Sequence, residues 1–333
     1  MSDTTLNPAD VARAADLLNA LRGELGKAVV GQAEAVEQTL VALVASGHVL
    51  IEGVPGLGKT LLARALAKSM SLSYSRVQFT PDLMPSDITG HAVLDLGAPG
   101  EQGLGALRVH QGPVFTNILL ADEINRAPAK TQSALLEVMQ EYQVTLEGRT
   151  LPLPLPFMVL GTQNPIDTEG TYPLPEAQLD RFLLKISMGY PSADEETEIV
   201  RTSTEGHAGN QLPLDALEPR MEQRHVQSLQ RMAGYLRADA RVLDYAVRIV
   251  RATRQWPGLS AGAGPRGAIA LVRTARACAL LQGRDFVTPD DVKKHALAAL
   301  RHRVLLSPDA QLEGRSADDL LRAAMDSVQA PRL

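Results

Sequence analysis

The stretch GVPGLGKT, residues 53–60, decides the fold. It fits G-x-x-x-x-G-K-[ST] in full. The apolar run HVLI (48–51) precedes it, and a helical pattern over 61–70 follows, with Leu62, Ala65 and Leu66 on one face. Strand, glycine-rich turn and helix in that order form a phosphate-binding loop. The glycines let the backbone curl until its N–H groups converge on one anion, and the helix N-terminus adds partial positive charge. Gly53, Val54, Pro55, Gly56, Leu57, Gly58, Lys59, Thr60 and Leu61 are therefore expected to line a nucleotide site. Lys59 would reach the β and γ phosphates, and the Thr60 hydroxyl would bind Mg²⁺.

Further apolar runs lie downstream: VFTNILLA (114–121), FMVLG (157–161) and FLLKI (182–186). Such runs show no alternation, which suits strands buried on both faces of a parallel sheet. With helical patterns between them, including residues 128–141, they predict an α/β domain. ILLADE (118–123) ends in two carboxylates where open α/β sheets bind ligands. Asp122 would hold Mg²⁺ and Glu123 would polarise an attacking water; the bland alternative is a solvated strand end. Asn164, in GTQNP, ends a third strand and could bond both the γ-phosphate and the water, although Asn-Pro also occurs in ordinary turns.

The remaining composition narrows the class. The 333 residues carry a net charge of −5, with the acidic excess in the first 191, so no pull toward nucleic acid is expected. A single cysteine, Cys278, excludes an internal disulfide and a multi-cysteine zinc site, and its apolar helical context predicts burial. The seven histidines show no metal-ligand spacing. The N-terminus lacks an apolar signal core and no run approaches spanning length, so a cytoplasmic protein without membrane insertion is expected.

NPADVARAADLLNALRGEL instead reads as an amphipathic helix with Asn7 as N-cap and Pro8 in its first turn. After Pro191 only helical periods appear, including TPDDVKKHALAAL with Thr288 as N-cap and Asp291 for its first turn. The expected division is an N-terminal helix (1–28), an α/β core (29–191) and a helical domain (192–333). GAPGEQGLG (97–105) reads as a mobile loop tip, and YQVTLEGRTLPLP as a hairpin over about 143–154 turning at Gly148.

The ensemble resembles the MoxR family of AAA+ ATPases along nearly the whole chain. The likeness rests on VVGQAEAVEQ (29–38), GHVLIEGVPGLGKTLLARALA (47–67), VQFTPDLMPSDITG (77–90) and GPVFTNILLADEINRAPAKTQSALLEVMQE (112–141). It continues through GTQNPIDTEGTYPLPEAQLDRF (161–182) and GRDFVTPDDV (283–292). The resemblance implies a parallel five-stranded P-loop core followed by a small all-α lid, with ATP and Mg²⁺ as cofactors. It implies that Val30 and Gly31 lie against the adenine and that Asn164 is the first sensor. Arg181, in EAQLDRF, would be an arginine finger for a neighbouring subunit; the alternative is a structural pair with Asp180 or Glu176. Arg266, in GPRG, would be the second sensor, acting in cis or in trans, or else an exposed arginine at a helix start. Its flanking glycines depart from the Ser-Pro-Arg-Ala pattern of similar proteins.

The likeness also marks residues 84–112 and the hairpin as insertions that project toward the channel of a hexameric ring. No aromatic–apolar–Gly pore loop stands there, which favours remodelling of a partner over threading. A von Willebrand A-domain protein is the implied partner. The competing readings are a chelatase or cofactor-insertion motor, a nucleic-acid motor, and a scaffold that binds ATP without turnover.

Overall fold

The computed structural model of the chain describes residues 6–95, 106–165, 170–204 and 212–332. The chain opens on α1 (Pro8–Ala28) and α2 (Ala33–Val44), then β1 (Val49–Glu52), α3 (Lys59–Ser69), β2 (Tyr74–Gln78) and α4 (Pro85–Thr89). A hairpin of β3 (Gly90–Asp95) and β4 (Ala106–Gln111) follows, then β5 (Ile118–Asp122) and α5 (Ala129–Glu141). A second hairpin, β6 (Gln143–Leu146) and β7 (Arg149–Pro152), precedes β8 (Met158–Gln163), α6 (Glu176–Leu179) and β9 (Leu184–Ser187). The rest comprises α7 (Ala193–Thr204), α8 (Gln223–Tyr235), α9 (Ala240–Thr253), β10 (Leu259–Ala261), α10 (Pro265–Leu281), α11 (Pro289–Lys294), α12 (Ala296–Leu300), β11 (Leu305–Leu306), α13 (Pro308–Leu312) and α14 (Ala317–Asp326).

Five strands form one parallel sheet in the order β2-β5-β8-β1-β9. β1 lies between β8 and β9, with Val49 opposite both Leu160 and Leu184. Alternating side chains divide the interior in two. Val49, Ile51, Ile118, Leu120 and Leu160 face a core shared with α1, α2, α3 and the C-terminal helices. Leu50, Leu119, Ala121 and Val159 face a second core with α5. This double burial explains why β1, β5 and β8 read as unbroken apolar runs.

β2 is the exception. It is one of the two edge strands, its sequence YSRVQ is mostly polar, and only Val77 in it is buried. VFTNILLA also becomes strand later than its apolar run suggests. Residues 114–117 turn beneath the first hairpin, where Val114 N–H donates to Ile88 O, and Asn117 closes the start of β5. The buried Asn117 amide accepts from Ser73 N–H (3.2 Å) and donates to Pro156 O (2.9 Å).

The second hairpin turns on Glu147 and Gly148, both at positive φ, as a two-residue hairpin loop requires. The stretch 97–105 lies outside the described residues. β10 and β11 add a short antiparallel pair where the sequence pattern shows helices alone, because two- and three-residue strands are too short to leave a period.

Capping follows the sequence closely. Asn7 accepts from Ala9 N–H at 3.0 Å, and Thr288 with Asp291 forms a capping box that Arg284 ties down. Cys278 is buried, and burial pushes its thiol up to about 12. Among the described residues no helix is long and apolar enough to cross a membrane.

The C-terminal helices pack directly onto the sheet and α2. Gln230 donates to Leu43 O (2.8 Å), and Arg273 to Ser46 O (2.9 Å) and Ala45 O. Arg301 donates to Lys185 O at 3.3 Å, and His302 to Phe182 O at 3.0 Å. α1 touches α2, α3 and α10 together, so the N-terminal helix cements core and lid.

Buried histidines make this packing acid-sensitive. His48 accepts Val159 N–H at Nδ1 and donates to Met139 O from Nε2, so it is bound as the neutral ring. Burial lowers His48 and His295 to about 4, and it also holds His302 well below the ordinary imidazole range. Each group stays neutral in the fold while the unfolded chain takes up protons near pH 6.5. The stabilisation is complete above that pH and is lost on acidification toward pH 4. Each histidine then costs up to about 1.4 kcal/mol per pH unit. Denaturant unfolding at pH 7.5 and pH 5 is expected to show a clear fall in stability at the lower pH; equal midpoints would contradict the assignment.

Candidate functional site

The sheet has two chemically different ends. At the carboxyl ends of β1, β5, β8 and β9 lies a cavity of about 810 Å³. One wall is built from the loop and helix start, Pro55, Gly56, Leu57, Gly58, Lys59, Thr60 and Leu61, with the polar side chains of Asp122, Glu123 and Asn164 beside them. Gly56 (φ +88°) and Gly58 (φ +86°) hold the loop in a left-handed path, with open space where a Cβ would stand. Gly53 is required for a different reason: its Cβ would lie 2.9 Å from Met188 O, just past β9. Val54 continues the turn beside it.

Lys59 Nζ donates to Gly53 O (2.6 Å) and Gln163 O (3.4 Å). Burial lowers its pKa, and the charges of Asp122, Glu123 and Glu52 oppose that shift. The ammonium is therefore held over the loop by carbonyl groups, ready to exchange them for an anion.

The carboxylates are held from two sides. Asp122 Oδ1 accepts the Thr162 hydroxyl at 2.6 Å, and Oδ2 pairs with Arg76 at 2.5 Å. Glu123 sits at φ +55°, a left-handed conformation costly for a non-glycine residue. Its N–H donates to Thr162 Oγ1 at 2.9 Å. Its carboxylate accepts from Gln78 (2.9 Å) and Arg126 (3.0 Å). Thr162 is thus the pivot between the two acids. The sequence reading missed it, along with Arg76, Gln78 and Arg126. The signal lay in strand register: Ala121 pairs with Gly161, which brings Thr162 beside Asp122.

Thr60 and Asp122 supply hard oxygen donors in one wall, the donor type Mg²⁺ takes. The opposite wall is apolar and includes Val29, Val30, Tyr190, Pro191, Ile199 and Val200, suited to a flat base. Gly31 sits under it at φ +74°, and a Cβ there would stand 2.8 Å from Pro191 Cβ. The α7 part of this wall was not anticipated, because its helix buries no residue and reads as solvated surface.

Arg181 and Arg266 are not in this cavity. They line a second one of about 330 Å³ with Ser46, His48, Asp180, Arg273 and Arg303. Arg181 precedes β9, so it lies at the amino end of the parallel sheet, beside the start of β1. The strand between the two ends spans about 10 Å at roughly 3.3 Å per residue. Arg181 donates to Leu136 O, in the middle of α5, while Asp180 bonds Arg303 (2.7 Å) and Arg266 (3.5 Å). Asp180 thus pairs with lid arginines rather than with Arg181. Arg266, in the first turn of α10, is more than half exposed, and Arg303 is almost fully buried.

Comparison with known proteins agrees with this architecture. Residues 48–184 match the ATPase family associated with various cellular activities (AAA), and residues 251–324 match the AAA lid domain. The chain is 43% identical to the chaperone MoxR1 of Mycobacterium tuberculosis, covering 93% of this chain and 81% of that one. It is 47% identical to the uncharacterised YeaC of Bacillus subtilis, covering 92% and 95%. The crystal structure of a candidate ATPase from Cytophaga hutchinsonii superposes with a TM-score of 0.86 at 39% identity, covering 97% of both chains.

Replacing Thr162 with valine removes the shared hydroxyl while keeping the shape. Phosphate release is expected to fall about 10–100-fold, the usual effect of losing a group that orients a metal-binding carboxylate. Binding of a fluorescent nucleotide without Mg²⁺ should be unchanged; an unaltered hydrolysis rate would show that the acids need no such pivot.

Proposed function

The chain belongs to the MoxR family of AAA+ ATPases and hydrolyses ATP, and from that premise we propose a hexameric ring with its active sites between subunits. ATP with Mg²⁺ would bind in the cavity at the carboxyl ends of the strands, and hydrolysis would drive remodelling of a partner protein that carries a von Willebrand A domain. The observation that carries this reading is the separation of the site into two halves. The P-loop and acids lie at one end of the sheet, and Arg181 with Arg266 lies at the other. One copy cannot close that gap, whereas two copies in head-to-tail contact can.

Within the site, Lys59 leaves its carbonyl partners for the β and γ phosphate oxygens. Thr60 and Asp122 would hold Mg²⁺, which would supply charge neutralisation at the phosphates. Glu123 exchanges Gln78 and Arg126 for the attacking water and draws its proton. Asn164 fixes the direction of that water. Arg181 of the next copy spreads the charge that develops on the transferred group, and Arg266 acts beside it, in trans. Such a finger supplies about 10³–10⁵ in rate, or roughly 4–7 kcal/mol of transition-state stabilisation.

The two hairpins support the remodelling part of the reading. β3 packs against β6, so the two hairpins form one unit, which in a ring would project toward the channel. β2, which carries Arg76 and Gln78 against the two acids, leads through α4 into that unit.

Arg181→Ala is expected to bind ATP normally and lose hydrolysis, and Arg266→Ala to behave likewise. Mixing Arg181→Ala with Lys59→Ala should recover activity, since one supplies an intact site and the other an intact finger. Absence of recovery in rings of verified mixed composition would overturn the trans arrangement. Glu123→Gln, expected to hold ATP without turnover, should retain a von Willebrand A-domain protein in pull-downs; recovery of the chain by itself would remove the remodelling reading.

A further inference from the structure

We propose that Arg303, with the Asp180 carboxylate it holds, is a positioning residue that sets Arg181 and Arg266 for the neighbouring subunit's phosphate. The proposal rests on the trans reading above and adds the part of the lid that aims the finger.

Arg303 follows α12 and turns inward beneath the segment between α6 and β9. Its guanidinium donates to Asp180 Oδ1 (2.7 Å), Asp180 O (3.2 Å), Phe182 O (2.7 Å), Leu183 O (3.2 Å) and Ala299 O. The carbonyl groups on both sides of Arg181 are therefore held by one buried cation. His302 reinforces the same point through Phe182 O. With its flanking backbone fixed, Arg181 has only its own side chain left to orient.

Asp180 divides its two oxygens unequally. Oδ1 faces buried Arg303 at 2.7 Å, and Oδ2 faces exposed Arg266 at 3.5 Å. The short, buried contact is the permanent one. The long, exposed contact is weak, because water competes for it. A phosphoryl oxyanion arriving from the next copy offers Arg266 a stronger partner, and Asp180 remains compensated by Arg303 after Arg266 leaves. The carboxylate thus stands in for a phosphoryl oxyanion as the partner of Arg266.

Lid docking has its own ties, which separates this role from simple stability. Arg301 bonds Asp318 and Lys185 O, Arg273 caps α2, and Gln230 bonds Leu43 O. Loss of Arg303 leaves these in place and frees the finger turn.

The test is Arg303→Gln, purified as rings alone and mixed with Lys59→Ala. Alone, it should bind ATP with unchanged affinity and show kcat reduced about 100-fold with little change in KM, the scale of a misplacement near 1 Å. Mixed with Lys59→Ala, it should recover activity to the extent that Arg181→Ala does in the same mixture. A wild-type kcat for Arg303→Gln overturns the proposal. So does a low kcat that Lys59→Ala fails to rescue while Arg181→Ala is rescued, because the defect then lies outside the finger. If neither is rescued, the trans reading itself fails and takes the proposal with it. Should Arg303→Gln not fold by circular dichroism, Arg303→Lys decides by the same mixing. It keeps the charge beside Asp180 and loses the fork that spans Phe182 O and Leu183 O, so the same pattern is expected at smaller amplitude.

Discussion

The parallel register of β1 between β8 and β9 is the constraint on which the rest of the molecule depends. It fixes which chain ends share an edge. The P-loop, Asp122, Asn164 and the residues after β9 leave from one edge of the sheet, while Arg181 enters from the other. A parallel sheet has a polarity that an antiparallel hairpin lacks, so chemistry can be sorted by strand direction. Here the acids and phosphate-binding amides gather at one edge and the arginines at the opposite one.

An apolar sheet buried on both faces leaves its strand ends as the places where backbone groups need side-chain partners. Asn117 fills that need at the start of β5, and His48 between β1 and β8. Thr162 does so at the acid end, and Arg303 before β9. Each closes a strand end, and two do more: Thr162 holds the two acids, and Arg303 the backbone on both sides of Arg181. The same economy makes them hard to replace, since a shorter or apolar side chain leaves buried carbonyl or amide groups unpaired.

The parts of this design with a steep local signal were legible in the sequence. The P-loop announces itself through glycine spacing and flanks, and Asp122 and Glu123 through an apolar run ending in charge. Residues that act across the sheet were not legible. Tyr74–Gln78 is an edge strand whose polar side chains serve the acids, so Arg76 and Gln78 erase the pattern that would mark it as strand. Thr162 was in view but has no meaning until register brings it beside Asp122. Arg303 carries no motif or periodic signal of its own, and only the fold shows that it is almost fully buried. The α7 wall of the nucleotide cavity buries none of its residues, so the chain's own packing gives it no apolar stripe.

The ties between lid and core carry a mechanical consequence. A hinge within one copy would need a compliant seam there, yet Arg273, Arg301, His302 and Arg303 stitch that seam at both β9 and the end of α2. A body stitched in this way would pass displacement on instead of absorbing it. In the ring proposed here, compliance would then reside in the joints between copies. The stroke at the projecting hairpins would be a rotation of whole rigid bodies, with its amplitude set by the lever arm from nucleotide to hairpin tip.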